Sequence, residues 1–469
     1  MRILHIGTGY LPIVGGGIPR YVEGLMRAQA AGGHEVFYLC TGRLDMTLLP
    51  RVRRWFMGKV AVWELINPRI EAGAAQRPMR PSLELSEACA EKAVARAVGA
   101  LKPDVAHIQT LQGWPASLTK VLADLGIPAI YTVQTYQTVC PVLTLYDQVA
   151  GELCTDFAEG RRCVRCLAAR PSAFKVRMIQ RLGIGKLISA VGCRLSAIGT
   201  TTAGRSESRM PKAESPPSLP ASSPQSEIYR RRREAFVAAM NRLQMVIGMS
   251  RRVTEILVGY GVDAARARTV HLVLEDFGRI RRKEPRTPAL PLRFALLNKA
   301  TLMKGAGLLR EAFAGFGPDQ VRLLVFGTQN SAGEGLLRPL LDSGVAELKG
   351  PYRREELDAV MAQVDVGLVP SIWEEAYGYV GPEFLAAGVP LLASRIGGMP
   401  DYVEDGVNGY LLPPTDPGAW QAKIRELVAN PAEVERLARG IKPVKTMREH
   451  GPELEAIYAE AIALMKVGK

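Results

Sequence analysis

No run of about 18 uncharged apolar residues occurs in this 469-residue sequence, so no membrane-crossing helix is expected. The longest apolar candidate, "LISAVGC" from Leu187, is stopped by Arg194. The apolar part of the opening "MRILHIGTGY" is too short for a secretory leader and reads as a buried first strand. Cysteine is scarce. Seven in a long chain point to a reducing, cytoplasmic setting and not to a disulfide scaffold. A Walker A motif is missing, which excludes a P-loop nucleotide site. No nucleic-acid recognition module is visible either, so nucleic acid is not an expected partner.

What is present is globular in composition, with 47% hydrophobic and 23% charged residues. The length predicts two or three domains. The formal charge of +14 is uneven: residues 1–285 carry 40 Lys and Arg against 23 Asp and Glu, the remainder 20 against 23. The excess in the first part favours an anionic partner, such as a phosphorylated substrate or an anionic membrane surface.

Short apolar runs alternate with helical spacing. "RILHIG", "HEVFYLC", "PDVAHIQ" and "IPAIYTVQ" read as strands, with helices over residues 20–31 and 118–125. The pattern starts again with "PLRFALLN", "VRLLVFG", "VDVGLVPS" and "PLLAS", separated by helical segments such as "EELDAVMAQ" and "GPEFLAAG". Two α/β units with parallel sheets follow. The expected division is 1–285, 286–445 and a closing helix over 446–469 that crosses back to the first unit. Residues 204–226, rich in Ser and Pro, read as an insertion. The Arg run in "YRRRREAF" after it reads as a solvated helical face.

The segment "PSIWEEAYGYVGPEFLAAGVPLLASRIGG", Pro370 to Gly398, holds two carboxylates at a strand-to-helix junction. Pro382 suits a first helical turn, which places Glu383 where free N–H groups favour negative charge. A carboxylate there can grip a diol. Gly378 and Gly381 let the backbone approach a ligand, and free N–H groups of the Gly378, Tyr379 and Val380 loop suit phosphate oxygens. Glu375 lies earlier in the loop, within reach of sugar hydroxyls. Taken singly, each Glu also reads as a helix-terminal or loop charge.

"EAYGYVGPE" resembles the donor motif of the retaining GT-B glycosyltransferases of family 4, in which two Glu stand with seven residues between them. "LAAGVPLLASRIGGMPDYVEDGVNGYLLPPTDP" continues in that family's style. The resemblance implies two Rossmann-like domains facing across a cleft, the first for an acceptor and the second for a nucleotide-sugar. It assigns the ribose to Glu383 and the hydroxyls of the transferred sugar to Glu375. "FALLNKATLMKGAGLLREAF" puts Lys299 and Lys304 just after a strand, where two cations can clamp a diphosphate and neutralise a leaving nucleotide. The family carries Gly-Arg where Asn298 and Lys299 stand; Lys keeps the charge and loses the bidentate fork.

In "YLPIVGGGIPRYVEGL", Gly15, Gly16 and Gly17 precede a helix. The resemblance matches Gly16 and Gly17 to a pair that touches the donor diphosphate. After the strand in "TVQTYQTVCP" the family carries His-Asp, and this chain carries Gln134 and Thr135. Gln134 can hydrogen-bond a sugar hydroxyl but cannot titrate near neutral pH. Front-face retaining transfer does without a His base, because the leaving phosphate accepts the acceptor's proton.

Cys140, Cys154, Cys163 and Cys166 end in "CVRC" and read either as a structural zinc set or as free thiols. No catalytic metal or cofactor is expected, since cations already neutralise the leaving group. "PRVRRWFMGKVAVW" and "AFKVRMIQRLGIGKLISAVG" mix basic with apolar residues. Each reads as a membrane-surface patch or as a core-facing helix with a solvated basic side. The expectation is a cytoplasmic glycosyltransferase, peripheral at the inner face of the membrane, that moves a sugar from a nucleotide-diphosphate donor to a hydroxyl of a glycan or glycolipid in surface polysaccharide assembly. A sugar-nucleotide epimerase of the same fold and a non-catalytic sugar-nucleotide or glycan-binding module are the rivals.

Overall fold

The computed structural model describes residues 1–11, 16–72, 77–174, 177–178, 218–297, 299–328 and 331–467. The chain forms two compact units. The first takes in the described residues up to Glu275 and those from Met447 onward; the second runs from Asp276 to Thr446.

The first unit is built on an eight-stranded sheet. Its strands are β1 (Arg2–Thr8), β2 (Glu35–Thr41), β3 (Arg51–Met57), β4 (Val60–Ile66), β5 (Val105–Ile108), β6 (Ala129–Val133), β9 (Met245–Gly248) and β10 (Ala267–Thr269). A separate small hairpin pairs β7 (Tyr146–Asp147) with β8 (Glu152–Leu153). The order is β10-β9-β6-β5-β1-β2-β4-β3, and every neighbour pair is parallel except β3 with β4. Central strands are buried on both faces, which is why they read as unbroken apolar runs.

Three expectations change here. "PRVRRWFMGKVAVW" is a β-hairpin and not a helix: β3 runs antiparallel to β4, with Trp55 opposite Val62, and Gly58 turns the chain at φ +58°. Its residues are exposed or half-buried throughout, with Val52, Trp55 and Met57 half-buried, as suits an edge strand. The Arg run does not lie wholly on a solvated face. In the helix Pro224–Met240, Arg232 is 2% exposed and donates to Glu84 at 2.7 Å and to the Gln137 carbonyl at 2.7 Å, and Arg233 is also buried. Finally, the break between units falls between Glu275 and Asp276, ahead of the 285/286 position read from composition.

The helix Met447–Val467 packs in the first unit. Polar groups inside that unit give the reason. Tyr458 Oη bonds His107 Nδ1 at 2.7 Å and accepts from Gln29 Nε2 at 3.0 Å, while His450 Nε2 meets Tyr21 Oη at 2.9 Å. His5 Nε2 completes the chain of contacts on Gln29 Oε1 at 2.7 Å. Buried polar atoms on β1 and β5 need these partners, and the last helix supplies them.

The second unit is a six-stranded, all-parallel sheet of order β13-β12-β11-β14-β15-β16. These are Leu292–Leu296 (β11), Val321–Phe326 (β12), Ala346–Gly350 (β13), Val366–Val369 (β14), Leu391–Ser394 (β15) and Gly409–Leu412 (β16). Apolar clusters cover both faces, one around Phe294, Phe313 and Trp420 and the other around Phe384, Met361 and Leu391. Strand order reverses between β11 and β14. In such a sheet the ligand crevice lies beyond the carboxyl ends of the two strands at that point.

Candidate active site

The two richest motif segments leave those two strand ends. Lys299 and Lys304 follow β11; Ser371 and Glu375 follow β14. The loops are stitched together by backbone. Ile372 N–H donates to the Met303 carbonyl at 2.9 Å. Gly305, at φ +77°, lies so close to Pro370 that a Cβ there would stand 2.0 Å from the Pro370 carbonyl oxygen. The stitch brings Lys304 Nζ onto Glu375 Oε2, which also accepts from Ser371 Oγ at 3.1 Å. The same ammonium lies 5.3 Å from the centre of the Trp373 ring. Both partners are partly buried, so their attraction is screened less than that of a surface pair. Lys299 is exposed and makes no ion pair among the described residues; Asn298 lies outside them.

A third loop supports Glu375 from behind. Gly398 N–H donates to the Glu375 carbonyl at 2.8 Å, and a Cβ on Gly397 would stand 2.3 Å from that oxygen. Gly378 adopts φ +75°, and the Tyr402 ring fills the space a side chain on Gly381 would need. Around this loop, Trp373 Nε1, Tyr379 Oη and Tyr402 Oη are buried and have no hydrogen-bond partner among the described residues. Burial pushes the Tyr379 and Tyr402 phenols upward, and the Glu375 charge adds to the shift of Tyr402, so both stay neutral donors. Buried donors without acceptors are uncommon; Tyr402 is one that stands near the Glu375 carboxylate, and Trp373 and Tyr379 belong to the same loop as Glu375.

Glu383 lies in the first turn of the helix Val380–Ala386, which starts two residues before Pro382, with Tyr379 as its cap residue. Its carboxylate is buried, and Oε1 accepts from Arg354 Nη1 at 2.6 Å. Arg354 sits in the loop after β13, and its Nε donates to Asp276 Oδ2 at 2.6 Å. Sequence reasoning missed Arg354, Ser371 and Tyr402. The one available signal for Arg354 was an Arg beside the "GPYR" loop, at another carboxyl strand end.

In the first unit, Gly16 (φ +121°) caps the helix Gly17–Ala31, which follows β1; Gly15 lies outside the described residues. Gln134 follows β6, is buried, and donates through Nε2 to the Gln109 carbonyl and side chain, each at 3.1 Å. Its Oε1 has no partner among the described residues. Cys140, Cys154, Cys163 and Cys166 line one small cavity with Arg162 and Arg233. They are free thiols, and burial raises Cys154 to about 11 and Cys163 to about 12. Among the described residues no three His, Cys, Asp or Glu side chains are disposed to hold a metal ion.

An open hollow of about 580 Å³ lies at the amino ends of β11 and β12, lined by Arg286, Arg293, Arg322 and Lys349. Two of these four cations are matched internally, since Arg293 forks onto Asp365 and Lys349 pairs with Glu347. It stands at the wrong end of the strands for the motif loops.

The two Rossmann-like sheets and the loops at the switch point define an α/β protein of the GT-B fold. Two solved structures align over nearly the whole chain. One is Anabaena Alr3699/HepE in complex with UDP (TM-score 0.58, 13% identity, 98% of this chain and 100% of that one). The other is sucrose-phosphate synthase from Thermosynechococcus elongatus (TM-score 0.62, 16% identity, 99% and 100%). The family model for "Glycosyl transferases group 1" matches residues 295–430, and that for "Glycosyl transferase 4-like domain" matches residues 16–183. The chain belongs to the group 1 glycosyltransferases. Curated relatives include the D-inositol 3-phosphate glycosyltransferases of Mycolicibacterium vanbaalenii, 40% identical over 114 residues, and Mycobacterium marinum, 30% identical over 203 residues. These matches cover 24% and 40% of this chain, and only 25% and 43% of the relatives' own length. Among the described residues, no helix is long and apolar enough to cross a membrane.

Proposed function

We propose that this chain transfers a glycosyl group from a nucleotide-diphosphate sugar to a hydroxyl acceptor with retention of anomeric configuration. The observation that carries the reading is the Lys304–Glu375 pair, held at the carboxyl ends of β11 and β14 with the Trp373 ring beside Lys304 and the buried Tyr402 phenol near Glu375. The ammonium of Lys304, with exposed Lys299 beside the same strand end, neutralises the diphosphate as it departs. Glu375 accepts hydrogen bonds from the sugar's hydroxyls and so fixes the ring. Glu383, braced by Arg354, takes the ribose diol. In the transfer the bond from the anomeric carbon to the phosphate oxygen breaks, the bond to the acceptor oxygen forms on the same face, and the acceptor's proton passes to the departing phosphate oxygen. Gln134 belongs to the first unit, to which we assign the acceptor. The excess of positive charge in residues 1–285 favours an anionic acceptor or one carried on an anionic surface. Solved neighbours bound to UDP and curated relatives named for an inositol phosphate support the same classes of donor and acceptor. Glycan or glycolipid assembly at the cytoplasmic face is the setting this implies.

A thermal-shift screen of nucleotide-sugars tests the donor, because a ligand bound only by the folded state raises the melting temperature. The hit is then incubated with a panel of hydroxyl acceptors and the products resolved. Transfer by the native chain, lost in Glu375→Ala, supports the reading. Donor binding with only an epimerised sugar-nucleotide as product, or with no turnover at all, overturns it.

A further inference from the structure

The first unit displays apolar side chains that its own fold braces in an exposed position. The loop from Arg43 to Pro50 leaves the carboxyl end of β2, and Asn67, 1% exposed at the carboxyl end of β4, holds it. Asn67 Nδ2 donates to Asp45 Oδ1 at 2.7 Å and to the Leu49 carbonyl at 3.3 Å, and its Oδ1 accepts from Asp45 N–H at 2.9 Å. On this loop Met46, Leu48 and Leu49 are 67%, 55% and 71% exposed. Leu48 adopts φ +63°, a costly conformation for a bulky residue.

A second strip adjoins the same strand end. Arg177 Nη2 donates to the Pro68 carbonyl at 2.7 Å, and Arg77 exchanges backbone hydrogen bonds with Pro171 and Ala173. Exposed Met79, Phe174 and Met178 stand on this strip.

Beside these side chains Arg43, Arg51 and Arg69 pair with Glu64, Asp45 and Glu87, while Arg77 and Arg80 make no ion pair among the described residues. Every exposed ionisable residue between positions 43 and 80 is Arg or Lys, whereas Asp45 and Glu71 are half-buried and Glu64 is buried. Apolar side chains among cations match a bilayer with anionic headgroups: the cations meet phosphates and the apolar side chains enter the acyl boundary. A second copy of the chain would instead bring like charges together.

We propose that this edge, at the carboxyl ends of β2 and β4, docks the protein on an anionic lipid surface. Gln134 also follows a carboxyl strand end of this sheet, so the surface would present a lipid-borne acceptor to the end of the unit that binds it. That last clause rests on the function proposed above; the docking itself does not, and vesicles without any acceptor test it alone.

The full chain is sedimented with vesicles of phosphatidylglycerol mixed with phosphatidylcholine, and with phosphatidylcholine alone. It is expected to bind only the anionic vesicles and to release with salt. The double variant Leu48→Glu/Leu49→Glu should weaken binding about tenfold or more. The second variant, Arg77→Ser/Arg80→Ser, should weaken it and flatten its salt dependence. Both should melt at the native temperature, since these side chains are exposed. Indifference of the native chain to anionic lipid overturns the proposal, as does native-like binding by both variants. Sedimentation equilibrium showing a dimer that Leu48→Glu/Leu49→Glu dissociates, with no vesicle binding, assigns the edge to a second copy instead.

Discussion

Arg354 Nη1 donates to Glu383 Oε1 at 2.6 Å, across 29 positions of sequence and from one carboxyl strand end to another. Arg354 is itself held by Asp276. A carboxylate meant to grip a diol needs a fixed direction, and a guanidinium fork provides it. Arg354→Ala should therefore weaken donor binding about tenfold to a hundredfold, the range for a lost charged hydrogen bond. Arg354→Lys should recover only part, because the fork is lost. Titration calorimetry with the donor checks both. Donor affinity unchanged in Arg354→Ala would remove Glu383 from the ribose site.

Lys304 and Glu375 form a contact and should behave as a unit. Lys304→Ala should lower kcat about 10²- to 10³-fold, as loss of a group aimed at developing charge does, and Glu375→Gln should lower it about 10²-fold through lost positioning of the sugar ring. The double variant should lose much less than the product of the two. Strict multiplication of the losses in a double-mutant cycle would show that the two act separately.

Gly305→Ala places a Cβ 2.0 Å from the Pro370 carbonyl and forces φ +77° on an alanine. The loops bearing Lys304 and Glu375 must then part. Stability should fall by more than about 1 kcal/mol, with activity falling further than stability accounts for. Melting temperature and turnover, measured on one preparation, separate the two effects.

Glu84→Ala strands the Arg232 guanidinium in the interior, where its side chain is 2% exposed. Removing one partner of a buried ion pair costs about 3–5 kcal/mol. Urea denaturation should show it as a lower midpoint. A change below about 1 kcal/mol would mean that the Gln137 and Thr138 carbonyls satisfy Arg232 alone.

Burial lowers His5 from 6.5 to about 4, against the hydrogen bond His5 donates to Gln29, and burial drives His107 well below its usual value. The folded state then binds fewer protons than the unfolded one between these values. Stability is therefore full above pH 6.5 and falls as the pH drops toward 4, by roughly 3 kcal/mol from His5 at most. Urea midpoints from pH 7 to pH 4 should decline in the native chain and less steeply in His5→Asn. Parallel curves would show that carboxylates alone set the acid limb.

The strands of both sheets were legible because parallel, doubly covered strands need unbroken apolar runs, as in "RILHIG" and "VDVGLVPS". Glu383 was legible too, since Pro382 and the glycines before it announce a helix start. The β3–β4 hairpin was harder. Its basic and aromatic residues suggested a helix face, and the two-residue alternation that marks an edge strand is broken at Arg54. The burial of Arg232 left no local trace, because its partner Glu84 is 148 positions away.

The sequence by itself determined the two-sheet α/β plan, the spacing of Glu375 and Glu383, and the placement of Lys299 and Lys304 after a strand. All of these are set by periodicity and turn chemistry within a few residues. Only the tertiary structure decided that Lys304 meets Glu375, that Arg354 braces Glu383, and that the last helix closes on His107 and Tyr21 in the first unit. These contacts join residues from 29 to 429 positions apart. Burial selects such pairs, since a polar group removed from water must find its partner wherever the fold has brought one.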